Sequence, residues 1–129
     1  MNEFGISSSK RIEMIDITAR VQEIVSNSKI KDGIIFLFVP HTTAGITINE
    51  NADASVQKDI INKLNQIVPE NDDYLHQEGN SDSHIKASLF SNENFIFIEN
   101  GRLKLGTWQG IYFCEFDGPR KRKVFYKII

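Results

Sequence analysis

Three histidines are the residues of this chain best suited to chemistry. His76 and His84 fall in one polar stretch, His76-Gln77-Glu78-Gly79-Asn80-Ser81-Asp82-Ser83-His84. His41 follows Pro40 at the end of an apolar run and heads Thr42-Thr43-Ala44-Gly45. Neutral imidazoles bind zinc and similar divalent metals, and three of them with an open fourth position form a catalytic arrangement. His41, His76 and His84 are therefore candidate metal ligands, with zinc the first candidate metal. The spacing, 34 and then seven intervening residues, matches no compact zinc motif. The site depends on the fold bringing His41 to the 76–84 loop. Glu50, Glu78 and Asp82 are the candidate catalytic carboxylates, as ligands, partners of ligands or general bases. The bland alternative is a polar surface turn.

An anion pocket is the second chemistry. Arg120 follows the rigid Asp117-Gly118-Pro119 turn, and a planar guanidinium there can hold a phosphate or carboxylate. Thr42, Thr43 and a helix N-terminus near Ser83 would complete such a pocket. The competing arrangement pairs Arg120 with Asp117 or Glu115 and only holds the turn. Lys121 and Lys123 read as a solvated strand edge. Cys114 sits among aromatics and reads as a buried, inert thiol. Asp53 reads as a helix cap rather than a chemical group. No Gly-rich nucleotide loop, dinucleotide fingerprint or Ser-His-Asp pattern is present.

The elements that must position these groups follow from periodicity. Residues 2–9 are polar and Ser-rich and read as a frayed segment or an edge. Alternation over 10–17 predicts an imperfect strand. Thr18 as a cap, then Val21, Ile24 and Val25, predict a helix to about Ser28. The run 34–39 is apolar at every position, which predicts a central strand covered on both faces or by a subunit partner. A second short strand, 46–49, is expected to pair with it near the Thr-Thr-Ala-Gly turn. Asp53 or Ser55 caps an amphipathic helix with Val56, Ile60, Ile61, Leu64 and Ile67 as its stripe, stopped by Pro69. A short helix spans about 83–90, with Ser81, Asp82 or Ser83 as its cap. A strand at 95–98 leads into an Asn100-Gly101 hairpin. Strands at 111–116 and 124–129 complete the chain. The fold class is α+β: mixed or antiparallel sheets, two main helices and one short helix, in a single domain over 1–129.

Composition sets the bounds. A chain of 129 residues with 40% apolar content can bury a real core without staples. A net charge of −2 argues against nonspecific nucleic-acid binding. One cysteine allows no internal disulfide and fits a reducing compartment. The first residues show no basic-then-apolar leader, and no apolar run is long enough to span a bilayer. The expected location is the cytoplasm, with no nucleic-acid or membrane partner.

Four segments carry a resemblance. His41-Thr42-Thr43-Ala44 with Asn49-Glu50-Asn51, Gly79-Asn80-Ser81-Asp82-Ser83-His84, Leu105-Gly106-Thr107-Trp108-Gln109, and Asp117-Gly118-Pro119-Arg120 with Arg122 resemble the YjbQ-like family, over nearly the whole chain from about Lys10. Ser81 and Ser83 stand where that family usually shows alanines. The resemblance implies an α+β fold and a homotrimer, and adds Asn80 and Gln109 to the substrate-binding candidates. Members are often labelled secondary thiamine-phosphate synthase, so it also implies weak joining of a pyrimidine diphosphate to a thiazole phosphate with loss of diphosphate. The alternative is a non-catalytic small-molecule or metal-binding trimeric module.

Overall fold

The computed structural model describes residues 2–129. In chain order these form β1 (Asn2–Ser7), β2 (Glu13–Asp16), α1 (Thr18–Ser28), β3 (Gly33–Phe38), β4 (Ala44–Glu50), α2 (Ala54–Ile67), α3 (Ser81–Leu89), β5 (Glu93–Glu99), β6 (Arg102–Leu103), β7 (Gln109–Glu115) and β8 (Lys121–Ile128). Two sheets result, one ordered β1-β8-β3-β5-β6 and one ordered β2-β7-β4. Every strand pairing is antiparallel, so the α+β expectation holds in its antiparallel form.

The core lies between the sheets. Ile35, Leu37, Ile96, Ile98 and Val124 of the larger sheet pack with Ile46, Ile111 and Phe113 of the smaller one and with Val21 and Val25 of α1. On the far face of the smaller sheet, Tyr112, Cys114 and Phe116 pack with Leu64 of α2 and with Ala87 and Phe90 beside them. Burial pushes the Cys114 thiol pKa well above its usual range, as an inert core thiol requires.

The far face of the larger sheet has no such cover. Along β3, Ile35 and Leu37 are buried while Phe36 and Phe38 are exposed. The strand is central, as its continuous apolar run predicts, but within one chain only one face is covered.

One local alternative is decided and three expectations change. Of the two readings of the first residues, the edge holds: residues 2–7 form the edge strand β1, paired with β8 from Asn2↔Tyr126 to Ser7↔Lys121. Buried Phe4 and Ile6 anchor it. Strand β4 does not pair with β3. Pro40 to Thr43 carries the chain from one sheet to the other, and β4 pairs with β7. Thr18 is the first residue of α1 rather than its cap; its N–H donates to Asp16 Oδ1 at 2.9 Å, and its hydroxyl accepts the Ile111 N–H at 2.8 Å. Asn80 takes the N-cap position of α3, one residue before the Ser81–Ser83 expectation, and its side chain makes no capping hydrogen bond. Asp53 does cap α2, accepting the Ser55 N–H at 2.9 Å. Asn100 and Gly101 both take positive φ, as the hairpin turn demands.

Candidate functional site

The crossover that takes the chain between the sheets also places His41. His41 lies three residues beyond the end of β3 and shares a cavity wall with the loop before α3 and the turn before β8. Between these three segments lies an open cavity of about 870 Å³ whose wall includes His41, His76 and His84. Thr42, Thr43, Glu78, Asn80 and Arg120 line it as well, so most of the expected site residues meet in one place.

Three do not line it. Asp82 is fully buried beneath the site. It accepts hydrogen bonds from Arg11 at 2.8 and 3.2 Å and from Lys86 at 2.8 Å. Burial pushes its pKa up, but Arg11 and Lys86 outweigh burial and hold it below the usual carboxylate range. Its place is in an ion-pair network that fixes α3, and so His84. Glu50 and Gln109 pair with each other across the far end of β4 and β7. That end is six strand residues from Ala44, or about 20 Å at the usual rise. Gln109 there closes its own turn, accepting the Gly106 N–H at 2.8 Å. Of the three candidate catalytic carboxylates, only Glu78 lines the cavity.

Glu115 and Arg122, which were not among the candidate site residues, form a buried pair whose arginine lines the cavity. Glu115 is fully buried and accepts from Arg122 Nε at 2.9 Å and Nη2 at 2.5 Å. Ser8 Oγ donates to Glu115 at 2.6 Å, and the Asp117 N–H at 3.1 Å. Arg122 also donates to Thr43 Oγ1 at 2.8 Å. Burial pushes the Glu115 pKa up, yet these partners keep it below the usual range. This pair ties β1, the His41 loop and β8 to one point.

Arg120 adopts the competing arrangement: its Nε donates to the Asp117 carbonyl at 2.9 Å and its Nη2 to Asp117 Oδ2 at 3.1 Å. A guanidinium has five N–H donors, so three remain for another acceptor. Arg11 also lines the cavity, held by Asp82 and within 3.5 Å of Glu70.

The fit to a metal differs among the histidines. His41 Nε2 accepts the Lys123 N–H at 3.0 Å. Its other nitrogen then carries the proton of the neutral ring and offers a donor rather than a lone pair. Burial, then the charge of Arg122, lowers the His41 pKa and keeps the ring neutral. As placed, His41 lines the cavity with its Nε2 already engaged by the backbone of β8. The His76 and His84 rings stand edge to face with centroids 5.4 Å apart, and Glu78 lies 3.8 Å from His76 Nε2. Among the described residues, no three His, Cys, Asp or Glu side chains are already gathered as a metal site. His76 and His84 are the residues whose chemistry fits a metal. Asn80 donates to Asp117 Oδ2 at 2.9 Å, while its own Oδ1 is buried without a partner.

The comparisons agree with this architecture. The family model described as UPF0047 protein YjbQ-like matches residues 2–129. The UPF0047 protein MJ1081 of Methanocaldococcus jannaschii is 55% identical, over 98% of this chain and 92% of the relative. The UPF0047 protein YugU of Bacillus subtilis is 49% identical, over 96% of this chain and 95% of the relative. A crystal structure of an uncharacterised YjbQ/UPF0047 protein from Clostridium acetobutylicum superposes with a TM-score of 0.97 at 56% identity, covering all of both chains. A YbjQ-like protein of unknown function from Sulfolobus solfataricus superposes at 0.93 with 33% identity, covering 98% of this chain and 94% of that one. With a cavity walled by the histidine and Asp-Gly-Pro-Arg segments and a match along its described length, the chain belongs to the UPF0047 YjbQ-like family.

Proposed function

We propose that the cavity binds a small phosphorylated molecule together with a divalent cation, zinc by the chemistry of its ligands. The observation that carries this reading is the meeting of three histidines and three arginines around one open cavity. Arg120 keeps three free donors for phosphate oxygens, Thr42 is exposed at the rim, and His41 lines the wall. Asn80 Oδ1, buried and unpartnered, supplies an acceptor next to the cavity. His76 and His84 would hold the cation, with Glu78 as the nearby carboxylate. A bound cation would neutralise phosphate charge. Glu78, alone among the candidate carboxylates in lining the cavity, would face the positive charge that develops on the pyrimidine methylene as its bond to diphosphate breaks and the thiazole nitrogen's bond to it forms.

The activity that suits this set is joining a pyrimidine diphosphate to a thiazole phosphate, as a weak thiamine-phosphate synthase. The leaving diphosphate would take the arginine side of the cavity. The protein would act as a homotrimer, in the cytoplasm. The described residues contain no helix long and apolar enough to cross a membrane. A second reading, a binding module without turnover, is favoured by the pairing of each cavity arginine with a carboxylate. Diphosphate release from the two substrates, measured beside calorimetric titration of inorganic phosphate and zinc, separates them. The enzyme reading expects turnover in the wild type that Glu78→Gln abolishes while phosphate affinity stays. Phosphate binding without turnover selects the module. Failure of the wild type to bind either probe overturns both.

A further inference from the structure

The histidine cavity does not end at His41 and His84. These two residues and Thr42 also border a second cavity, of about 590 Å³, so the two spaces share a wall. The rest of the second wall is Ala44, Ala87, Ser88, Phe90, Ser91 and Asn92. Both volumes fall in the range of about 300–1,000 Å³ that small-molecule sites occupy. Their charge differs sharply. The first cavity is lined by three arginines and three carboxylates, whereas no Asp, Glu, Lys or Arg lines the second.

The second wall is held by backbone. The Ile46 N–H donates to the Ser91 carbonyl at 2.7 Å, and the Val39 N–H to the Asn92 carbonyl at 2.7 Å. Residues 91 and 92 are thus tied both to β4 and to the end of β3. Phe90 is fixed edge-on against Phe116, with ring centroids 5.1 Å apart. Ala87 and Ser88 belong to the last turn of α3, whose carbonyls have no N–H further along the helix. That end of a helix carries partial negative charge, which disfavours an anion and accepts hydrogen bonds. Ala44, Ala87 and Phe90 add apolar surface, and exposed Asn92 brings a carboxamide.

We propose that the second cavity is a specificity subsite, holding the uncharged organic body of a phosphate ester whose phosphate lies in the first. This rests on reading the first cavity as an anion site. The ester oxygen then lies by His41 and His84, the residues common to both spaces. A charged body would lose its water with no counter-ion in the wall, so the subsite selects against one. A ring that gives up about 60 Å² of apolar surface there gains roughly tenfold in affinity.

Calorimetric titration of methyl phosphate and phenyl phosphate at one pH tests this, because the two share a head group and differ only in the body. The wild type should bind phenyl phosphate about tenfold more tightly. Ala87→Leu fills the subsite from α3 and should abolish that preference while methyl phosphate affinity stays the same. Circular dichroism checks its fold, and Ser88→Leu, at an exposed position, is a second variant with the same expected result. In the NMR spectrum of the wild type, the Asn92 side-chain amide should shift with phenyl phosphate and not with methyl phosphate. Equal wild-type affinity for the two esters overturns the subsite and leaves the anion reading standing. A phenyl preference that survives both variants places the body elsewhere and also overturns it. If the wild type binds neither ester, the anion reading falls and the subsite falls with it.

Discussion

Replacing Glu115 by leucine should cost far more than an average core substitution, and replacing Arg122 by methionine at the same time should repair the damage. Glu115 is fully buried and Arg122 nearly so. Leucine at 115 leaves the guanidinium with only Thr43 Oγ1 at 2.8 Å and the Thr43 carbonyl at 3.3 Å, and no opposite charge. Removing one partner of a buried ion pair costs about 3–5 kcal/mol. At this chain length a kcal/mol moves the melting temperature by roughly 4 °C, so the single variant should melt about 12–20 °C lower. The double variant removes both desolvation costs and should lie within about 2 kcal/mol of wild type. Urea unfolding is the assay, with an unchanged m-value showing that the midpoint reports stability. The wild type has a matching pH signature. The folded Glu115 pKa is depressed, so its contribution is complete above the unfolded value and is lost as pH falls through the folded one. A single variant that loses less than about 1 kcal/mol, or a double variant no better than the single, would refute the view that this pair is a coupled unit.

Thr43→Val keeps the shape but removes the hydroxyl that accepts from Arg122; urea unfolding should show a loss of about 1.5–3 kcal/mol, as for a hydrogen bond to a charged group. Gly45→Ala would place a methyl 2.9 Å from the Ser91 carbonyl and 3.2 Å from Phe90 Cβ, forcing β4 away from the end of α3; thermal melts should register about 1–3 kcal/mol of overpacking. In metal-free protein, the His41 ring followed by NMR should titrate below 6.5. The unfolded chain takes up that proton first, so the stability linked to His41 rises with pH between the folded value and 6.5. In the Glu115→Leu, Arg122→Met variant its midpoint should move up, because the Arg122 charge is the stronger of the two nearby influences.

The periodic parts of the fold were legible because burial imposes a period. The 54–67 helix stripe, its Asp53 cap and the Asn100-Gly101 hairpin all declare themselves within a few residues. The partner of β4 did not, because Pro40 to Thr43 looks as much like a hairpin turn as like a crossover between sheets. Part of the polar cluster at 76–84 lines the cavity, yet pattern alone could not say which of its acids faces solvent. Asp82 has Lys86 four positions on, and that spacing stacks them on one face of a helix. Glu115 is a lone acid in an otherwise apolar strand, a position that calls for a buried cation. Arg122 shares its side of β8 with Val124 by simple alternation. Each signal was present and its partner was close, Lys86 four residues from Asp82 and Arg122 seven from Glu115 across the Asp117-Gly118-Pro119 turn; only Arg11, 71 residues from Asp82, was out of reach of a local reading.

The place of β8 in the larger sheet has a consequence for biosynthesis. It is inserted between β1 and β3, two strands translated long before it. Until β8 emerges from the ribosome, β1 has no partner and β3 presents one bare edge, with half-exposed phenylalanines beside it. Pairings this remote in sequence form slowly. A nascent chain stalled before residue 121 would therefore carry an open, aromatic strand edge of the kind that recruits other chains. Holding that edge apart from its neighbours during translation is a task that falls to the cell's chaperones rather than to the fold itself.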